Sequence, residues 1–391
     1  MLTFLTDALN NSFNMFWEIL WALILGFGIS AIIQAVISRK EMAALLPNSS
    51  PRSLAIASGL GAASSSCSYA SVAIARSIFK KGGDFTAAII FEFASTNLVV
   101  ELGIIMAILL GWQFTLAEFI GGPLMIIFLA ILFRIFLKKK MIDQAREQAN
   151  KGLQGLMEGH AQMDMSVSEG SFLKRIFSGK GITSTSHYFV MDWVSVWRDI
   201  ALGLIIAGAL AAWVPDSFWE SLFFSQSGFF AKIWGPAIGP LVAVISFVCS
   251  IGNVPLAVVL WNGGISFGGV ISFIFADLII LPILNIYRKY YGLKMSLFLL
   301  ATSYVAMVVS GIAIEFLFEV IGLTPARRTL QTIGAIGISL NYTTVLNILF
   351  LIIGVGMLIR FIRTGGVSML KMMNKPEMTD HDHHDHHDHQ G

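Results

Sequence analysis

Runs of about 20 or more mostly apolar residues recur along the chain, at 13–37, 54–79, 85–110 and 114–137, and again at 193–214, 236–260, 267–286 and 295–321. That length crosses a hydrocarbon core of roughly 30 Å as a helix. Inside such a core every backbone N–H and C=O needs a protein partner, so only helices and closed barrels qualify. The alternating ten-residue pattern of a barrel is missing. An all-α polytopic membrane protein is therefore expected, and composition agrees: 55% hydrophobic and 13% charged residues with a mean hydropathy of +0.74, against about 25% charge in soluble domains. A ninth candidate at 345–362 follows "TIGAIGISLNYTT", which is polar and glycine-rich enough to suit a re-entrant segment. The total comes to about 8–10 transmembrane or re-entrant helices. The opening "MLTFLTDALNNS" is polar and runs straight into the first span, which is expected to act as its own insertion signal.

Sliding the sequence by 182 positions aligns "CSYASVAIARSIFKKGGDFTAAIIFEFASTNL" with "CSIGNVPLAVVLWNGGISFGGVISFIFADLII", with identity at ten of 32 positions. Apolar matching alone gives about two or three, and the ten include the chain's two cysteines, Cys67 and Cys249. The chain reads as two homologous repeats, a first at 1–137 and a second at 193–321. Between them a basic, glutamine-rich linker at 138–192 is expected to be exposed. Lys and Arg there favour the cytoplasm, which puts the N-terminus inside as well but leaves Arg39, Lys40 and Arg52 outside. Residues 322–363 form the re-entrant and terminal transmembrane part, and 364–391 a His/Asp-rich tail.

Duplicated transporters place substrate near the bilayer midplane, where paired segments are interrupted by Gly, Pro and small polar residues. Both cysteines sit in such segments. Ser65, Ser66, Cys67 and Ser68 in the first, and Cys249, Ser250 and Asn253 in the second, are substrate-pathway candidates together with Asn97. Close helix packing through small residues is the plain alternative. Three carboxylates, Glu92, Glu101 and Asp277, fall in apolar spans, where an ionisable group costs about 2.5–3.5 kcal/mol and usually faces a cavity or partner. They are the proton-coupling candidates, with Asp277 at the position that Ser95 holds in the first copy. On one continuous helix Glu92 and Glu101 point in nearly opposite directions, and Glu101 lies near enough to the span end for water to reach it. The alternative is a carboxylate satisfied by a serine, Arg76 or Arg198.

"SSSCSYASVAIARSIFKKGGDFTAAIIFEFASTNLVVELG" and "CSIGNVPLAVVLWNGGISFGGVISFIFADLIILPILNIYRKYYG" resemble the signature blocks of the predicted-permease family named after the ArsP organoarsenical efflux permeases. The resemblance implies a multi-pass permease of the prokaryotic inner membrane, with relatives that export trivalent organoarsenicals such as methylarsenite. Family members often carry Cys-Ser-Cys-Ser; here Ser65 stands at the first of those positions, leaving Cys67 as the thiol. Soft thiols suit thiophilic cargo, while a buried cysteine is also an ordinary small hydrophobe.

The tail "HDHHDHHDHQG" sets His381, His383, His384, His386, His387 and His389 among aspartates, a donor set for Zn, Ni, Co or Cu without fixed geometry. His160 and His187 read as surface residues. No P-loop or nucleophile–base constellation is present, so the chain is not expected to be an enzyme or to hydrolyse nucleotide. The leading function is a secondary-active exporter of a small, thiophilic solute. The runner-up is a divalent-metal transporter with a sensing tail, or a channel. No cofactor is expected beyond tail-bound metal. Membrane lipid, a small-molecule or metalloid substrate and a second copy of the chain are the expected partners, with no nucleic acid.

Overall fold

The computed structural model describes residues 2–36, 46–64, 68–80, 82–150, 165–167, 172–224, 227–246, 250–325 and 342–373, which are nearly all helical and contain no strand. The first half holds α1 (Leu2–Val36), α2 (Pro51–Ser64), α3 (Ser68–Lys80), α4 (Phe85–Asn97), α5 (Val100–Leu109) and α6 (Trp112–Phe136). Then come α7 (Lys139–Asn150) and α8 (Phe172–Phe177). The second half holds α9 (Gly179–Trp213), α10 (Asp216–Phe223), α11 (Phe229–Ser246), α12 (Ser250–Asn262), α13 (Phe267–Ile274), a 3-10 turn (Phe275–Leu278), α14 (Leu281–Tyr291) and α15 (Leu293–Val320). The described chain closes with α16 (Tyr342–Arg363) and α17 (Gly366–Met373).

Five helical stretches among the described residues are long and apolar enough to cross a membrane: Ile19–Val36, Phe85–Leu109, Trp112–Phe136, Leu293–Val320 and Thr343–Arg363. A sixth forms if the pair Phe267–Leu278 and Leu281–Tyr291, bent by 42°, counts as one span. The segment expected as one span at 54–79 is instead two helices, α2 and α3, with residues 65–67 between them outside the described set.

The long helices α1 and α9 lie antiparallel. Ser12 Oγ donates to Leu204 O at 2.9 Å near one end, and Gln34 Nε2 to Asp192 Oδ2 at 2.9 Å near the other. A Cβ on Gly208 would come within 2.2 Å of Ser12 Oγ, so glycine sets their closest approach. α16 docks on α1 with Asn347 at the centre of the contact, Thr344 Oγ1 accepting from Trp17 Nε1 at 3.4 Å and Phe350 lying against Trp21 on either side. Asn347 Oδ1 accepts from Trp21 N at 2.9 Å while its Nδ2 donates to Trp17 O at 2.8 Å. Those two backbone groups are an i, i+4 pair, so the amide sits inside the hydrogen-bond ladder of α1.

Helix ends in the two halves fall at matching places. α3 and α12 both begin and end 182 residues apart, α4 and α13 start at Phe85 and Phe267, and the turns between them use Gly82 at φ 97° and Gly264 at φ 100°. Both glycines occupy the left-handed region that other residues avoid. α2 packs on α4 and α11 on α13, while α6 and α15 join the halves.

The expected exposed linker at 138–192 is corrected at its second end. α9 starts at Gly179, and residues 184–192 are buried. Polar pairing makes this burial tolerable: Ser184 Oγ donates to Met165 O at 2.7 Å, and His187 Nε2 lies 2.7 Å from Thr364 Oγ1. His187 is therefore a buried helix residue rather than a surface one. His160 lies outside the described residues. α7 is anchored too, with Arg146 Nη1 donating to Phe79 O at 2.6 Å and Nη2 to Gly83 O at 3.2 Å, at the C-terminus of α3.

Candidate functional site

The site forms where two helices break. α4 starts at Asp84, whose side chain accepts from Ala87 N at 3.0 Å, and each of its residues is buried. Its last turn is crowded with side chains that bond back to their own backbone. Ser95 Oγ donates to Glu92 O at 2.8 Å, Thr96 Oγ1 to Phe93 O at 3.3 Å and Asn97 Nδ2 to Phe93 O at 3.1 Å. Such bonds compete with the helical ladder. The chain leaves the helix at Leu98, passes through an extended Val99 (φ −104°, ψ 144°) and starts α5 at Val100. In the second half α13 tightens into the 3-10 turn, an extended Ile280 (φ −63°, ψ 150°) follows, and Pro282 stands in the first turn of α14. Proline fits there because the first helical N–H groups have no intrahelical partner.

Asp277 sits in that tightened turn, fully buried. Ser68, the first residue of α3, donates to Asp277 Oδ2 at 2.7 Å. Asn97 Nδ2 approaches Oδ1 at 3.5 Å, a long and mainly electrostatic contact. Thr96 and Ser250 also act electrostatically on the same carboxylate. Ser68 and Ser250 are the serines of the two Cys-Ser pairs, so both lead to one carboxylate. Glu92, equally buried, accepts from the Tyr287 hydroxyl of α14 and lies within the electrostatic reach of Asp277, while its Oε2 has no hydrogen-bond partner among the described residues. Arg76 is engaged elsewhere, donating to Ala149 O at 2.8 Å with its guanidinium over the Tyr290 ring.

Of the residues singled out from sequence, the structure brings Ser68, Asn97, Glu92, Asp277 and Ser250 together. Asn253 is fully buried one turn into α12. Glu101 does not join them. It stands in the first turn of α5, and a Cβ on Gly26 of α1 would lie 2.1 Å from its Cβ. Its exposure is 4%, which corrects the expected access to water: α1 covers the span end. The continuous helix assumed for Glu92 and Glu101 is also broken, at Leu98 and Val99. Ser65, Ser66, Cys67, Cys249 and the six tail histidines lie outside the described residues. Among the described residues no cluster of three His, Cys, Asp or Glu could hold a metal ion.

Two members of the neighbourhood were not anticipated. Tyr287 is the partner of Glu92. Glu118, on α6, is completely buried within the electrostatic reach of Asp277. The signal for Glu118 was present in "FTLAEFIGGPLMIIF", a lone carboxylate in an apolar span, which is the reason Glu92 was singled out.

The sequence profile of the ArsP_1 family, described as predicted permease, matches residues 5–316, a stretch that contains both helix breaks. The chain belongs to that family. It is 61% identical over 349 residues to "Putative permease Rv2963" of Mycobacterium tuberculosis (strain ATCC 25618 / H37Rv), an alignment that covers 89% of this chain and 86% of the relative. No solved structure matches the chain. Family membership and the apolar helices together support a multi-pass membrane transporter.

Proposed function

We propose that this permease is a secondary-active exporter of a small thiophilic solute, with a trivalent organoarsenical as cargo, in the inner membrane of a prokaryote. The observation that carries the reading is the convergence of Ser68, Asn97 and Ser250 on the buried Asp277, where helix breaks from both halves meet. Broken helices at mid-membrane leave backbone and side-chain dipoles free to face a solute. A carboxylate held there can exchange a proton as the solute passes. The matching helix ends support descent of the two halves from one duplicated unit, which would bring Cys67 and Cys249 to equivalent places beside the same centre. The six tail histidines are read as a flexible transition-metal-binding appendage outside this pathway.

The test is growth of expressing cells challenged with methylarsenite, inorganic arsenite, Zn or Ni. Wild type should confer methylarsenite resistance that Asp277→Asn and Cys67→Ser remove, with everted vesicles accumulating methylarsenite when energised. Equal sensitivity with and without the permease rejects this cargo. Metal tolerance that depends on the tail favours the divalent-metal reading instead.

A further inference from the structure

A second buried carboxylate lies within the electrostatic reach of Asp277. Glu118 lies on the inner face of α6, one turn before Gly121 and Gly122. A Cβ on Gly121 would stand 3.0 Å from the ring of Phe275 in the 3-10 turn, and one on Gly122 would stand 2.4 Å from Leu98 at the break after α4. These glycines press α6 against residues of both helix breaks, and Glu118 stands one turn along the same helix. Neither Glu118 oxygen has a hydrogen-bond partner among the described residues, and its exposure is 0%. Asn97 Oδ1, beside Asp277, is likewise buried without a partner.

Two ionised carboxylates that interact in a buried setting repel, and no described cation offsets them. The other acidic groups on helices packed against α6 are occupied or turned away. Glu92 accepts from Tyr287, Glu101 faces α1, and Glu315 accepts from Gly268 N at the start of α13. Glu118 therefore answers to Asp277.

We infer that Glu118 and Asp277 form a coupled carboxyl pair that together hold at least one proton, and that Glu118 is the group through which that proton leaves or returns when cargo engages Asp277. In the step an O–H bond breaks on one carboxylic acid and forms on the partner carboxylate or on water entering with the cargo; nothing is oxidised or reduced. The inference rests on the transport reading for its use, while the pairing itself can be tested without cargo.

Infrared titration of the purified full-length permease in lipid vesicles decides the pairing. Wild type at neutral pH should show a protonated-carboxyl C=O band that Glu118→Gln diminishes and Glu118→Asp retains. In Glu118→Gln the midpoint assigned to Asp277 by its loss in Asp277→Asn should move by about one pH unit, a tenfold change in proton affinity. An unchanged band in Glu118→Gln, or an unmoved Asp277 midpoint, overturns the pair. In the same vesicles with a trapped pH dye, methylarsenite flux in wild type should respond to a pH gradient and that in Glu118→Gln should not. An equal response in both overturns the proton role. No methylarsenite flux in wild type defeats the cargo reading, and the infrared result still stands or falls by itself.

Discussion

The trio α11, α13 and α15 in the second half is tightly closed, whereas its counterpart α2, α4 and α6 in the first half surrounds a groove of about 1070 Å³ lined by Leu54, Ser58, Thr86, Leu98, Pro123 and Arg134 among others. Side-chain volume at the helix crossings accounts for the difference. In the second half Gly235 meets Ser266, Gly239 meets Gly269, and Gly268 meets Gly311, each so near that an added Cβ would come within 2.1–2.7 Å of its neighbour. Shifted by 182 positions, these glycines correspond to Ser53, Ala57, Thr86, Ala87 and Leu129. The difference lies at the third helix: α13 and α15 cross at Gly268 and Gly311, whereas Thr86 and Leu129 stand at the corresponding places of α4 and α6, which pack less extensively. Gly61 is the exception in the first half, where a Cβ would stand 2.4 Å from Phe91 O and keeps α2 close to α4.

The sharpest way to break this comparison is to give the closed half the bulk of the open one. Gly268→Thr, which copies Thr86, places a Cβ 2.1 Å from the backbone oxygen of Gly311, which cannot turn aside, so a destabilisation of about 3 kcal/mol or more is expected. The monodisperse fraction in detergent should collapse; a normal yield would show that α13 and α15 can separate. Next comes the centre. Asp277→Asn removes the carboxylate acceptor of Ser68, and such a bond is worth about 1.5–3 kcal/mol, so transport of the cargo proposed above should fall about ten- to a hundredfold. Ser95→Ala, at the matching position of the first half, removes only a local back-bond and should leave transport within about threefold. Similar losses in both variants would erase the distinction between the two breaks.

A smaller effect is expected at the periphery. Asn347→Leu removes two side-chain bonds to α1, and polar contacts of this kind within membranes are worth about 0.6–1.7 kcal/mol. A drop of a few degrees in Tm is the expected reading. Filling the groove should matter least for folding: Ala130→Phe projects into open space and should change stability by less than about 0.5 kcal/mol. A large loss would mean that the groove closes during the working cycle.

Much of this architecture was legible. Apolar runs located α1, α4, α6, α15 and α16, because a helix that faces lipid, like α16, and one buried all round by protein, like α4, are both built of apolar residues. The break at Leu98 and Val99 was not anticipated, because 85–110 reads as one apolar run; its signal is the crowding of Ser95, Thr96 and Asn97 in one turn. The start of α9 was not legible either, because "GKGITSTSHYFVMD" is buried by protein rather than by lipid. There Arg360 donates to Gly179 O at 2.9 Å and to Thr183 Oγ1 at 3.0 Å, contacts that hydropathy cannot register. Glu118 carried the same sequence signal as Glu92, a lone carboxylate in an apolar span, but its link to Asp277 is remote in sequence and arises only once α6 has folded against the second half. Glu101 erred in the other direction, since an acidic residue near a span end looks wet until α1 is laid over it.

The seat of Asn347 in α1 has a mechanical consequence. Its amide spans the donor and acceptor of one rung of α1, and beside it Trp17 Nε1 donates to Thr344 Oγ1 at 3.4 Å and the Trp21 and Phe350 rings lie 6.1 Å apart. Parting the two helices gives up side-chain contacts and no backbone-to-backbone fit. Such a seam can open and re-form as a clasp does, whereas the glycine crossings of the second half, where backbone meets backbone, behave as a weld.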